Sequence, residues 1–448
     1  MVSLLAASCQ DGESRVRGAL ETPNSPAPAD NLLLHAGTII APPPCSPSSI
    51  SASGSVAGQG HGHGMRPHRH QDVEECPFDV TSDDYADDAA IAALATKLLD
   101  VAATQLEAGN AGAAWTCADR ATDLAARSVD AHLLRGGALA ALGRYEEAAV
   151  AFAMALAIAP NDAFAMRTVA DAYLRARSEA VAGPTYAALA LEISTRGYQL
   201  AKRKRVDKQL ISELATLRAT ALNYLGRATE ALVAVDAALR LVPDQIDAKY
   251  ERAAALFDLH RFSEARTTLQ DVLLRKPDDA ACHDLLGQTL EWLNDADAAR
   301  HFTQARTLAP DEYFAPQLIS EAEFRGEIEA VVKSLPPEKQ AQLKAVRFEI
   351  SELPMLEDLI SVTPPFPPSI LGLFRADWSA DEGAAAHAGN AADPAAKLGP
   401  SIVLYRKNLG RSAHTRVELS EQIRDTVLHE IGHFDGLDED DLRRRRME

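Results

Sequence analysis

Cysteine is scarce in this chain: Cys9, Cys45, Cys76, Cys117 and Cys282 are odd in number, far apart and never form a CxxC pair. That pattern indicates neither a disulfide framework nor a cysteine zinc site. Aromatic residues make up only 5%, which together with abundant alanine favours packed helices over a sandwich or barrel. Positive charge is in deficit. The 45 Lys and Arg face 64 Asp and Glu, a formal charge of −19, which argues against a nucleic-acid partner held by phosphate neutralisation. No stretch approaches the ~20 apolar residues that span a bilayer, so no membrane partner is expected. What is plentiful is apolar content, 47% of 448 residues. That is enough for a real core, and the length allows two to four domains at ~150 residues each.

Residues 1–84 read as an unstructured segment. "TPNSPAPAD" (22–30) and "APPPCSPSSISASGSVAG" (41–58) lack periodicity, and such composition cannot offset the entropy of ordering the chain. "HGHGMRPHRH" follows, with His61, His63, His68 and His70. A metal-binding tail is one reading of these histidines; a polar linker is the simpler one, since nothing nearby fixes their geometry. Met65 is an alternative start. "MVSLLAASC" loosely resembles a lipoprotein signal ending at Cys9. It lacks a basic n-region, and its apolar run is shorter than the ~7–15 residues a signal needs, so a reducing cytoplasm is the expected location.

From about 85 to 312 the chain repeats itself. "DAHLLRGGALAALGRYEEAAVAFAMALAIAPND" (130–162) reads as two amphipathic helices with a turn at Gly143 and a stop at Pro160. In "ATALNYLGRATEALVAVDAALRLVPDQ" (219–245), Gly226, Ala231, Ala238, Leu239 and Pro243 fall where Gly143, Ala148, Ala155, Leu156 and Pro160 fell. Pro277 and Pro310 follow at steps of 34 and 33 residues. Small alanines allow close helix approach, glycine frees the turn and proline ends the second helix. Tyr145, Phe152, Phe262 and Phe302 fill gaps between hairpins. Six units result: 95–128, 129–162, 163–211, 212–245, 246–279 and 280–312. The third carries an insertion near 175–186, and its second helix resumes near Ala188 and ends in the basic run 202–205. A period near 34 with two helices per unit resembles the tetratricopeptide (TPR) repeat. The resemblance implies a solenoid whose concave face binds a protein or peptide partner. Helix-A positions such as Leu133, Gly137, Tyr250 and Ala254 do not supply the Lys/Asn carboxylate clamp of some members.

Residues 313–448 break from the repeat. "SEAEFRGEIEAVVKSLPPEKQAQL" (320–343) has helical period; "VRFEISELP" (346–354) and "PSIVLYRKNL" (400–409) read as strands, and 379–399 as a loop. In "ELSEQIRDTVLHEIGHFDGLDEDDL" (418–442), Ser420 is the expected N-cap, and Ile423, Val427, Ile431 and Phe434 form an apolar stripe that ends at Gly436. His429, Glu430 and His433 spell HExxH. Two imidazoles one turn apart can reach one ion, with the glutamate beside them suited to a water rather than the metal. Two neutral imidazoles and a carboxylate suit zinc with one position open. A bare HExxH is weak evidence; here it lies on an amphipathic helix, with Gly432 at its centre. Asp425, one turn before His429, reads either as an orienting carboxylate or as a solvated one. The arginines 443–446 read as a solvated tail or as partners of the acidic run 438–441.

"HEIGHFDGLDEDDL" resembles the small bacterial zincin-like metallopeptidases, whose motif reads HExxHxxGxx(D/E). "EFRGEIEAVVKSLPPE", "VRFEISELP" and "PSIVLYRKNL" resemble that family's opening helix, first strand and edge strand. The resemblance implies His429 and His433 as zinc ligands, Glu430 as catalytic base, and Glu439 as third ligand with Asp438 as competitor. It also implies a peptide substrate extended beside Ser401–Tyr405. Tyr405, Arg406 and Arg411 read first as ordinary surface or edge residues, with a part at the oxyanion as the sharper alternative. The expected architecture is therefore mainly α: an N-terminal segment (1–84), a TPR array (85–312) and a small α+β zincin-like domain (313–448). The expected function is a zinc metallopeptidase; the alternative is a TPR scaffold whose domain binds metal without proteolysis.

Overall fold

A computed structural model describes residues 34–36, 75–78, 81–176, 183–376, 378–379 and 397–445, all within one unit, Leu34–Glu448. The four clustered histidines, Met65, Cys9 and Cys45 lie outside these residues, as does most of the segment 1–84; where that segment is described it departs from the unstructured reading, with a strand at Leu34–Ala36 and a short 3-10 turn at Ser82–Tyr85.

Twelve helices pair as six antiparallel hairpins. They are α1 (Asp88–Glu107) with α2 (Ala111–Leu124), α3 (Val129–Ala141) with α4 (Tyr145–Ile158), and α5 (Ala163–Ala176) with α6 (Gly183–Lys204). Then follow α7 (Lys208–Tyr224) with α8 (Ala228–Leu241), α9 (Ile246–Asp258) with α10 (Phe262–Arg275), and α11 (Ala280–Trp292) with α12 (Ala298–Leu308). Outside the third hairpin, each turn passes through a left-handed residue. Gly109 (φ 82°), Gly143 (72°) and Gly226 (69°) occupy it first, and His260 (59°) and Asn294 (53°) take it in the last two hairpins. A Cβ built on those three glycines meets nothing within 4 Å, so glycine serves the backbone angle there rather than space. After the turn, Arg144, Arg227 and Arg261 each fork onto a glutamate three residues on: Glu147, Glu230 and Glu264, all at 2.7 Å. Small residues seat the aromatics: a Cβ on Gly136 would lie 2.5 Å from the Phe152 ring, and one on Gly287 2.8 Å from the Phe302 ring. The basic run 202–205 closes α6, with Lys204 donating to the Asn161 carbonyl at 2.9 Å.

The cysteine expectation is overturned. Cys76 and Cys117 are joined as a disulfide 41 residues apart, and Cys76 packs with Leu94, Leu98 and Ala118. The chain just before α1 returns onto the first hairpin, a contact that no spacing motif announces.

The C-terminal domain begins with α13 (Glu321–Ser334), opened by a Ser320/Glu323 capping box, and α14 (Pro337–Leu343). Its sheet has the order β1-β3-β6-β2, from β1 (Leu34–Ala36), β2 (Arg347–Ser351), β3 (Gly372–Arg375) and β6 (Ser401–Tyr405). β2 runs parallel to β6 with Arg347 opposite Ser401; β3 runs antiparallel with Gly372 opposite Leu404. The expected edge strand β6 is therefore interior, paired on both sides, with every residue buried. An all-apolar run such as IVLY suits that place better than an edge. Trp378–Ser379 (β4) and Lys397–Leu398 (β5) pair as a small ribbon at the ends of the expected loop, most of which lies outside the described residues. A short α15 (Leu356–Leu359) precedes β3; α16 (Arg406–Arg411), α17 (Arg416–Phe434) and α18 (Glu439–Arg445) follow β6. The side chains of Ile423, Val427 and Ile431 on α17 pack with Phe324, Leu371 and Ile402 in the domain core.

The domain docks on the last hairpins. Trp292 stacks on Phe262 (centroids 5.0 Å apart) and packs against Leu359, Ile370 and Tyr405. Glu291 accepts from Lys407 and Arg411, the Arg411 guanidinium lies 5.0 Å from the Phe302 ring centre, and His260 Nε2 meets the Phe366 carbonyl at 2.9 Å.

Candidate metal centre

The helix that carries HExxH starts earlier than expected. Thr415, not Ser420, is its N-cap, accepting from Glu418 N at 3.2 Å; the Ser420 hydroxyl bonds back to Arg416 O inside the helix. The Thr415 side chain wins because the chain enters there in extended conformation. Asp435 and then Gly436 at φ 78° end it, and the reversal brings the following residues back over the helix end.

Three side chains converge there. His433 Nε2 lies 3.1 Å from His429 Nε2, and Glu439 Oε1 lies 3.3 Å from the first and 3.7 Å from the second. Among the described residues they are the group of three that can hold a metal. Three tetrahedral ligands about 2.0–2.1 Å from one ion stand about 3.3 Å apart, so the triangle has the right size. His433 Nδ1 meets the Leu437 carbonyl at 2.9 Å. As donor there, it leaves the Nε2 lone pair facing His429 and Glu439. Burial pushes the Glu439 carboxyl up, but hydrogen bonds and charge from His429 and His433 outweigh it and hold it down at about 2. Asp438 does other work, its carboxylate accepting from Asp441 N at 2.8 Å at the start of α18.

Glu430 is fully buried, and neither carboxylate oxygen has a hydrogen-bond partner. Burial pushes its pKa up to about 8, opposed by the charge of His429 and the nearby Phe374 N–H. Its seat depends on a residue the sequence did not single out. A Cβ on Gly372 of β3 would lie 2.8 Å from Thr426 Cγ2 and 3.0 Å from Glu430 Oε1. The strand carrying it was also unforeseen, and only a glycine before a short apolar run marked it.

The oxyanion candidates are placed elsewhere. Tyr405 is fully buried in the core; Arg406 is held by Ile319 O and Glu352, and Arg411 by Glu291. Asp425 is exposed on α17. In the C-terminal tail, Arg444 pairs with Asp441 at 2.6 Å.

Residues 343–448 match the family model of zincin-like metallopeptidases, and residues 223–289 match that of the tetratricopeptide repeat. The chain thus carries TPR repeats and, at residues 343–448, a zincin-like domain. Among solved structures it is similar to a thermophilic TPR protein of Thermus thermophilus, at 20% identity over 44% of this chain and 98% of that one (TM-score 0.36). It is also similar to PilF of Pseudomonas aeruginosa, at 17% identity over 53% and 99% (TM-score 0.40). A third is YrrB, a TPR protein with an unusual peptide-binding site, at 17% identity over 43% and 93% (TM-score 0.31). No curated protein matches the chain.

Proposed function

We propose that the chain is a zinc-dependent metallopeptidase whose TPR array engages a protein or peptide partner. The observation that carries this reading is the convergence of His429, His433 and Glu439 with an unpartnered Glu430 beside them. Two lone-pair nitrogens at 3.1 Å and a carboxylate on the same point are satisfied together by a divalent cation, and the donor set suits zinc. His429, His433 and Glu439 would hold zinc, which would supply a polarised carbonyl and a water of pKa roughly 7; Glu430 would accept a proton at a carboxylate oxygen and pass it to the leaving amine. The charge of a cation in the triangle would favour the ionised Glu430 that this requires.

β6 lies between β2 and β3, away from the place expected for it as an edge strand. The strand against Glu430 is β3, and its side away from β6, which the short strand β1 covers, would receive an extended substrate once β1 is displaced. The cytoplasmic location rested on the weakness of the signal-like start. The Cys76–Cys117 bond speaks for an oxidising compartment instead, where a lasting disulfide belongs.

A second reading, a TPR scaffold with a metal-bound but non-proteolytic domain, draws on the closure of the site: His429 and His433 are each 2% exposed and Glu430 0%. Glu430→Gln separates the two. It should keep zinc and fold while hydrolysis of a peptide falls by ~10²–10⁴-fold. Wild type with full zinc that cleaves no peptide would establish the scaffold.

A further inference from the structure

The outer edge of β3 is already taken. Leu34–Ala36 pairs antiparallel with it, Leu34 opposite Arg375, His35 opposite Phe374 and Ala36 opposite Leu373. The other edge of β3 belongs to β6. The strand thus covered is the one that seats Glu430 through Gly372. The sequence around the pairing residues sets them apart from their surroundings. "LLLHAGTII" (32–40) is an apolar, β-branched run between the proline-rich stretches 22–30 and 41–48, and such a bounded run has strand character. Farther along, Cys76 is bonded to Cys117 on α2. The run is therefore joined to the folded array through the 39 residues 37–75, on the same chain as the edge it pairs with.

We propose that residues 34–36 are a built-in occupant of the peptide-binding edge of the zincin-like domain, a strand of the chain itself held where an extended peptide substrate adds. The pairing is made by backbone groups, which every peptide carries, so the edge accepts a substrate and the chain's own segment by the same ladder. The occupant competes with substrate and leaves the metal ligands untouched. That the edge receives substrate rests on the metallopeptidase reading; that residues 34–36 cover it does not.

The test uses the full chain with Leu34→Pro/His35→Pro. Neighbouring residues of a strand direct their N–H groups to opposite sides, so one of the two prolines removes a ladder donor whichever faces β3. Both residues lie outside the helices of the array. Hydrogen exchange is followed at the amides of Gly372–Arg375 without metal. Those facing β1 should exchange at least ~10-fold faster in the variant, while those bonded to β6 stay slow as an internal control. Equal rates in both proteins overturn the proposal. Peptide cleavage by the zinc-loaded proteins is the second arm. A several-fold lower KM at unchanged kcat in the variant supports both readings, since a competing occupant acts on KM. Faster exchange with no cleavage in either protein keeps the tethered strand and sinks the peptidase. Cleavage with the same KM in both, and unchanged exchange, keeps the peptidase and sinks the tethered strand.

Discussion

Glu291 is the charge on which docking of the zincin-like domain turns. Its side chain is 17% exposed and takes both Lys407 and Arg411, themselves 32% and 22% exposed. Burial pushes its carboxyl up, yet the charges and hydrogen bonds of Arg411 and Lys407 more than offset this and leave it below the usual glutamate range. Glu291→Ala removes the one anion shared by two half-buried cations. Breaking a fully buried pair costs about 3–5 kcal/mol; with a fifth to a third of these groups in water, roughly 2 kcal/mol is the expected loss. Lys407→Ala alone should cost less, because Glu291 keeps Arg411. Trp292, stacked on Phe262 and packed on Leu359 and Ile370, reports undocking directly. Urea titration followed by tryptophan emission should show an early red shift in Glu291→Ala, with protease cutting newly admitted at 309–320. The pH dependence has a defined sign. The folded pKa is depressed, so the contribution of Glu291 is present above the unfolded value near 4.5 and fades as pH falls through the folded value below it. Wild type should therefore undock on acidification in a step that Glu291→Ala lacks. A change below ~0.5 kcal/mol, or the same acid step in both proteins, refutes the argument.

Purified protein should carry about one zinc per chain, lost in His429→Ala or His433→Ala and weakened by Glu439→Gln, while Asp438→Ala keeps it; metal analysis after dialysis decides. Closing a loop of 41 residues stabilises by about 4 kcal/mol in the chain-entropy account. Cys76→Ser should therefore lower the unfolding midpoint of the first hairpins, and thiol counting on unreduced, denatured wild type should miss the pair; reaction of all the cysteines would contradict it. Gly372→Ala forces a methyl into a 2.8–3.0 Å gap against Thr426 and Glu430. A loss of ~1–3 kcal/mol is expected from such overpacking, read by thermal unfolding of the metal-free protein.

The array was legible because its signal is redundant. Gly143 and Gly226, Pro160 and Pro243, and the alanines between them recur in register, so an error at one turn is corrected at the next. The structure shows why the register outlives its own residues: His260 and Asn294 take the left-handed turn once glycine is gone. Asparagine tolerates that angle, and a histidine pinned by the Phe366 carbonyl is held in it. The Arg–Glu fork recurs after three of the turns; it went unread because charged surface pairs carry no hydrophobic periodicity. The disulfide and the docking of Trp292 and Glu291 were invisible for a different reason. Each joins segments that are far apart in sequence, and neither partner differs locally from an ordinary surface or core residue.

The metal centre divides along the same line. His429 and His433 are one turn apart on one helix, so helical geometry alone brings them together. Glu439 against Asp438 was undecidable from spacing, since both follow the Gly436 reversal. The structure separates them by what else each does: Asp438 caps α18, which leaves Glu439 to turn toward the imidazoles. The strand assignment failed because two strands rich in β-formers do not say which of them lies outside. β6 entered as the edge by its place before the motif helix, yet five buried residues in a row are the mark of an interior strand. That β3 rather than β6 lies against Glu430 changes the chemistry that follows. It takes Tyr405, Arg406 and Arg411 out of the reaction and gives the last two to the segment before α13 and to docking. It leaves Gly372 and the backbone of β3 as the surface that meets both Glu430 and the short strand β1.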